Sequence, residues 1–192
     1  MTITRRFTAL AGFVLLALAA AGCESDPTTP DNNNPQELIT TVRLTLTDPS
    51  NPSTIASVQW RDADGPGGAA PTVDTLRLRA GQSYEGRIVL LDETKTPADT
   101  ISNEVEEESS VHQFFYTPSA SLATALAVTI TDRDANNYPV GLETTVTTSA
   151  STTPLTGTLR VVLSHYDAQP KNGTTPSVES DVDIELPVVI TP

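Results

Sequence analysis

From residue 37 to the C-terminus, apolar side chains recur at every second position, in short runs broken by Pro, Gly, Asn and Asp. Side chains alternate across a strand, so each run reads as a strand with one buried face. Val42, Leu44 and Leu46 alternate with Arg43, Thr45 and Thr47. Residues 55–60 give a second strand, and Leu76 and Leu78 against Arg77 and Arg79 a third. Tyr84, Gly86, Ile88 and Leu90 form the inner set of a fourth. His112, Phe114 and Tyr116 mark a fifth, and Leu126, Val128 and Ile130 a sixth. Residues 142–148 are rich in threonine and are expected at a sheet edge. Leu159, Val161 and Leu163 follow, and Val182, Ile184, Leu186, Val188 and Ile190 close the chain. Pro187 points to an edge position or a bulge for that last strand, because proline cannot donate to a ladder. Residues 99–108 suit a helix of one turn or two, since their acids crowd the C-terminal end, where the helix dipole disfavours them. The pattern predicts an all-β fold: an antiparallel β-sandwich, Ig-like in the loose sense, with about nine strands and at most one short helix.

The first 22 residues have the anatomy of an export signal. Arg5 and Arg6 precede an uncharged apolar run over residues 7–21, short for a membrane span, with small residues at its end. Phe7 follows the arginines directly, which favours the general secretory route over the twin-arginine one. Ala20, Ala21, Gly22 and Cys23 resemble the bacterial lipobox, with Ala20 where leucine is commoner. That resemblance implies cleavage before Cys23 and lipidation of its thiol; the alternative is an ordinary signal with an incidental cysteine. One acyl chain binds a bilayer marginally, whereas several hold firmly. Glu24, in place of an aspartate that would resemble an inner-membrane retention signal, favours the outer membrane, on its periplasmic or cell-surface face. Residues 25–36 carry Pro, Asn and Thr but no apolar side chain, and read as a disordered tether of about 40 Å at full stretch. Residues 37–192 are left as the sandwich domain, long enough for a core without staples.

Charge narrows the partners. The chain has 24 acidic residues against 11 basic ones, two of which are Arg5 and Arg6. Such a surface excludes nucleic acid, whose binding rests on Lys and Arg neutralising phosphates. It suits solubility and attracts cations.

The sharpest motif is residues 132–143, Asp-Arg-Asp-Ala-Asn-Asn-Tyr-Pro-Val-Gly-Leu-Glu. Asp132, Asp134 and Asn136 stand at positions 1, 3 and 5 of a calcium-loop pattern, Tyr138 at position 7 and Glu143 at position 12. Asn137 replaces the usual glycine at position 6, Val140 stands at position 9, and the flanks read as strands. Asn137 can adopt the left-handed conformation, so calcium is the one cofactor suggested. The alternative is a solvated hairpin turn, where Asp and Asn are favoured anyway. A second acidic loop over residues 62–68 lacks an acid to finish a coordination shell. Glu104, Glu106, Glu107 and Glu108 precede His112, and His165 stands near Asp167, so a metal site can be drawn at each. Both histidines fall in register with apolar neighbours, which assigns them structural roles. No Gly-x-Ser-x-Gly, His-Glu-x-x-His or phosphate loop is present, so the chain is expected not to be an enzyme.

Residues 37–42, 60–68, 106–115, 132–142, 157–165 and 181–190, in that order, resemble a family of small, functionally uncharacterised Bacteroidota-type lipoproteins. Some members carry a "type 1 periplasmic binding fold" label. That fold needs repeated βαβ units and about twice the length, neither of which this sequence has. The resemblance implies localisation and fold, and lends no activity. The expectation is a lipid-anchored cell-envelope binding or interaction module, with calcium and an envelope protein or glycan as candidate partners. A purely structural lipoprotein and, more distantly, a carboxylate-based hydrolase are the alternatives.

Overall fold

The computed structural model describes residues 37–65 and 67–192. The signal, Cys23 and the tether lie outside the described residues. Strands β1 (Thr41–Asp48) and β2 (Asn51–Arg61) form a hairpin, its turn held by Asp48, whose Oδ1 accepts the Ser50 N–H at 2.8 Å. Then come β3 (Thr72–Val73), β4 (Leu76–Arg79), β5 (Ser83–Leu91), helix α1 (Ile101–Glu107) and β6 (His112–Pro118). The chain ends with β7 (Leu126–Ile130), β8 (Glu143–Thr148), β9 (Leu155–His165) and β10 (Glu179–Thr191). One sheet has the order β3-β2-β1-β5-β8-β7, the other β4-β10-β9-β6.

The nine expected strands are present, and the tenth is the two-residue β3, too short to show a period. Inner rows from both sheets meet in one core. Val42, Leu44, Leu46, Ile88, Leu90 and Val146 come from the first sheet. Leu76, Phe114, Val161, Leu163, Leu186 and Ile190 come from the second. Helix α1 contributes Ile101 and Val105, and its Ser102 hydroxyl accepts the Leu90 N–H at 2.7 Å, which fixes the helix to β5.

Three expectations need correction. The sheets are not wholly antiparallel, because β10 pairs with β4 in parallel from Val188↔Leu76 to Thr191↔Arg79. β8 is not an edge, for it lies between β5 and β7. Its threonines fit the interior because they find local partners or space. The Thr148 hydroxyl bonds to the Arg79 carbonyl at 2.6 Å, and Thr144 occupies room that Gly86 leaves. A Cβ on Gly86 would stand 2.4 Å from Thr144 Oγ1 and 2.8 Å from Leu46 Cδ2.

Pro187 sits in an interior strand, opposite Thr158 of β9. Thr158 turns its N–H and C=O away from β10, to the Oγ and N–H of Ser119. The Thr158–Pro187 pair therefore exchanges no ladder bonds. The missing proline donor faces the β4 flank, one residue before the parallel ladder begins. The bulge expected of this strand lies elsewhere, between Ser180 and Val182.

Candidate functional site

The calcium-loop residues are placed as a turn that satisfies itself. Asp132 Oδ1 and Oδ2 accept the N–H groups of Gly141 and Leu142 at 2.8 and 2.9 Å. Asp134 Oδ1 accepts those of Asn136 and Tyr138 at 2.8 and 2.9 Å. Asn137 takes the left-handed conformation, φ 66°. Gly141, at φ 97°, lets the backbone pass Phe114, whose Cβ would lie 2.7 Å from a side chain there.

A cation does meet this loop, and the protein supplies it. Lys171 Nζ lies 3.0 Å from Asp134 Oδ2 and donates to the carbonyls of Ser109 and His112, each at 2.8 Å. Both charged side chains are buried. Burial alone would raise the Asp134 carboxyl, but Lys171 and the two backbone N–H groups outweigh it and hold it below its usual range. Glu143 is turned outward to Arg87 at 3.2 Å, and Asn136 and Tyr138 are exposed. Among the described residues, Asp132, Asp134 and Glu143 do not form a group of acids close enough to share an ion. In the second acidic loop, Asp64 Oδ2 likewise accepts the Ala69 N–H at 2.8 Å.

A different cluster does converge, at the end of the second sheet where apolar rows give way to polar residues. His112 of β6 stands directly across from His165 of β9, with ring centroids 4.4 Å apart. Both continue inner rows, His112 that of Phe114 and His165 that of Leu163. Asp181 falls at the irregularity of β10, between Ser180 and Val182. A bulge breaks the strict alternation and re-aims a side chain, and that of Asp181 is 4% exposed. His112 is fully buried.

The ring nitrogens face the Asp181 carboxylate at ion-pair distance. His112 Nε2 lies 3.6 Å from Asp181 Oδ2, and His165 Nδ1 lies 3.6 Å from Asp181 Oδ1. Those separations are long for hydrogen bonds, which run at about 2.7–3.2 Å. They are close to the roughly 3.3–3.5 Å that separates nitrogen and oxygen ligands around one tetrahedral zinc-sized ion. His112 Nε2 and Asp181 Oδ2 are buried with no hydrogen-bond partner. The far side of the His112 ring is held by a hydrogen bond. His112 Nδ1 lies 3.2 Å from the Glu108 carbonyl, which makes it the N–H and leaves the lone pair on Nε2. His165 Nε2 stands 3.1 Å from Asp167 Oδ1, off the axis of a hydrogen bond, and its Nδ1 faces Asp181. Backbone carbonyl and carboxylate behind the imidazole are the usual supports of metal-binding histidines.

Burial sets the charge state here. It pushes His112 down, with His165 adding to the effect, and pushes Asp181 up against the pull of both histidines. Neutral imidazoles are what a metal ion needs. Glu37 and Glu108 bring further carboxylates within 4.8 Å of a His112 ring nitrogen. Asp181 also lines a recess of about 250 Å³ with Ile39, Val42, Trp60 and Asp62.

The two histidines, drawn from the sequence into separate surroundings and given structural roles, thus belong to one cluster with Asp181. Asp181 and Glu37 carried no signal, since neither the bulge nor the fold-back of residue 37 is written in local spacing. Comparison with family models, with curated proteins and with solved structures finds no match.

Two predictions follow from this geometry. Lys171→Met keeps the volume but leaves Asp134 charged and unpaired, so denaturant unfolding is expected to show a loss of about 3–5 kcal/mol. Adding Asp134→Asn should recover part of it. Burial first, then Glu104, Asp181 and Glu108, pushes the Glu37 carboxyl from 4.5 to about 7. Without metal, the folded chain keeps this proton between those values while the unfolded chain releases it. The group's stabilising contribution is therefore full below pH 4.5 and is lost as pH rises through about 7. In EDTA, Glu37→Gln is expected to raise Tm above pH 7 and leave it unchanged below pH 4.5, as read by thermal unfolding across pH.

Proposed function

We propose that the chain is a lipid-anchored cell-envelope module, not an enzyme, that binds a divalent transition-metal ion of the zinc class. One observation carries the metal reading. Two imidazoles, that of His112 braced by the Glu108 carbonyl, face the Asp181 carboxylate at 3.6 Å, with His112 Nε2 and Asp181 Oδ2 buried and unpartnered. Two nitrogens and carboxylate oxygen suit zinc and its neighbours, whereas calcium takes six to eight oxygens. The calcium expectation finds no support in the residue 132–143 loop, where Lys171 already pairs with Asp134. The anchor reading rests on the signal and on Cys23 in its lipobox-like setting. An acidic surface favours cations near the domain and disfavours nucleic acid.

Thermal unfolding of the full chain in detergent, first in EDTA and then with zinc, tests the metal reading. Zinc at 100 times its dissociation constant is expected to add about 2.7 kcal/mol, or about 5–10 °C for a domain of this size. Calcium and magnesium should add nothing, and His165→Gln or Asp181→Asn should abolish the zinc shift. No zinc shift in the unaltered chain would overturn the reading. For the anchor, Cys23→Ser is expected to move the protein from the membrane to the soluble fraction and to abolish incorporation of labelled fatty acid. Retention and labelling would refute lipidation at Cys23.

A further inference from the structure

We infer that Glu37 is the fourth arm of this centre, so that a bound ion clasps the segment through which the expected tether joins the domain. The inference rests on the metal reading and adds to it a ligand and a consequence.

Three observations carry it. Glu37 Oε2 is buried with no hydrogen-bond partner, although the residue lies just ahead of β1. A carboxylate oxygen of Glu37 lies within 4.8 Å of a ring nitrogen of His112, the histidine shared with the Asp181 group. The third is the charge of the donor set. Two neutral imidazoles and Asp181 alone would leave a buried divalent ion with a net positive charge, which is costly in a dry site. A second carboxylate balances it. The Glu37–Glu108–His112 group and the His112–His165–Asp181 group meet at His112, and the Glu37 carboxyl is within electrostatic reach of Asp181 and His165.

The consequence is mechanical. Thr40 is already fixed, its N–H and hydroxyl bonded to the Leu91 carbonyl at 2.9 and 3.1 Å and its carbonyl to the Asp62 N–H at 2.8 Å. Residues 37–39 precede the β-ladder, and Leu38 is 41% exposed. An ion held by Glu37 on one side and by β6, β9 and β10 on the other would order those residues against the second sheet. Metal occupancy is thereby coupled to the freedom of the tether junction.

The test uses the full chain in detergent and zinc as the probe. Zinc affinity is measured by competition with a chromophoric chelator, and amide hydrogen exchange is followed over residues 37–42 with and without zinc. Glu37→Gln is expected to weaken zinc at least about 10–100-fold, the range that even an outer partner of a metal site contributes. Zinc should slow exchange over residues 37–42 in the unaltered chain and not in the variant. Glu37→Asp, which withdraws the carboxylate by one methylene, should fall between the two. Glu106→Gln, on the exposed face of α1, should bind as the unaltered chain does. Unchanged affinity and unchanged protection in Glu37→Gln would overturn the clasp while leaving the metal reading intact. Loss of zinc on Glu108→Gln but not on Glu37→Gln would overturn it too. Failure of the unaltered chain to bind zinc would remove the metal reading, and the clasp with it.

Discussion

The contact between the two apolar sheet faces is the interaction on which the rest of this domain depends, and β10 is the strand most deeply committed to it. Val182, Ile184, Leu186, Val188 and Ile190 all face inward and are buried. Each contributes about 1.5–3 kcal/mol on burial, against a backbone ordering cost of about 1–2 kcal/mol per residue. The margin is therefore narrow, and it exists only if the inward alternation is kept along the whole strand. β10 keeps it by pairing with β9 on one side and β4 on the other. Pro187 is tolerated because its lost donor falls at the one flank where no ladder has yet begun. The single break in the alternation is at Asp181. A break there, and not further along, leaves the apolar row intact and exchanges a core position for a carboxylate.

Polar residues inside the domain follow two different plans, and the contrast is informative. Lys171 is fully provided for: three acceptors meet its ammonium, one of them the Asp134 carboxylate. Its work is to hold the turn after α1, where the Ser109 and His112 carbonyls converge, against the loop after β7. His112 is thereby fixed from its backbone by Lys171 and from its ring by the Glu108 carbonyl. A positioned ring with nothing on its inward nitrogen is a different object from a satisfied core histidine. The buried ion pair and the histidine cluster are neighbours, and the first orients the second.

Much of this fold was legible because strand period is local. Nine alternating runs became nine strands, and residues 99–108 became the one described helix, since a pleated chain with one wet face writes its burial into every second residue. What was not legible is non-local. Nothing in residues 142–148 says which strands flank them, so threonine content was read as an edge when Gly86 across the ladder had made room for Thr144. The acids of residues 132–143 leave two readings open in the sequence, a calcium loop and a solvated turn, with Asn137 left-handed in the structure. In the structure backbone N–H groups pair with Asp132 and Asp134, and Lys171, far along the chain, pairs with Asp134. For the histidines the register with apolar rows is legible in the spacing, and their meeting at Asp181 is not. Both rows finish at the same end of the same sheet, a fact of strand pairing and not of spacing.

The same reasoning separates the two places where a cation was sought. A site is set by lone pairs left over after the protein has satisfied itself, not by the number of acids nearby. In the loop after β7 the backbone donors and Lys171 leave little for a metal ion. At His112, His165 and Asp181 the side chains are largely buried, the His112 ring is braced from behind, and the ring nitrogens stand 3.6 Å from the carboxylate oxygens. Leaving a buried polar atom unpaired costs about 1–3 kcal/mol. A domain whose stability is a small difference of large terms would be better served by leucines at these positions, which would extend the rows of Phe114 and Leu163. That it instead carries both of its histidines there, facing a bulged aspartate, is accounted for if an ion supplies the missing partner. The bound ion would then restore to the end of the sandwich the cohesion that the apolar rows provide along its length.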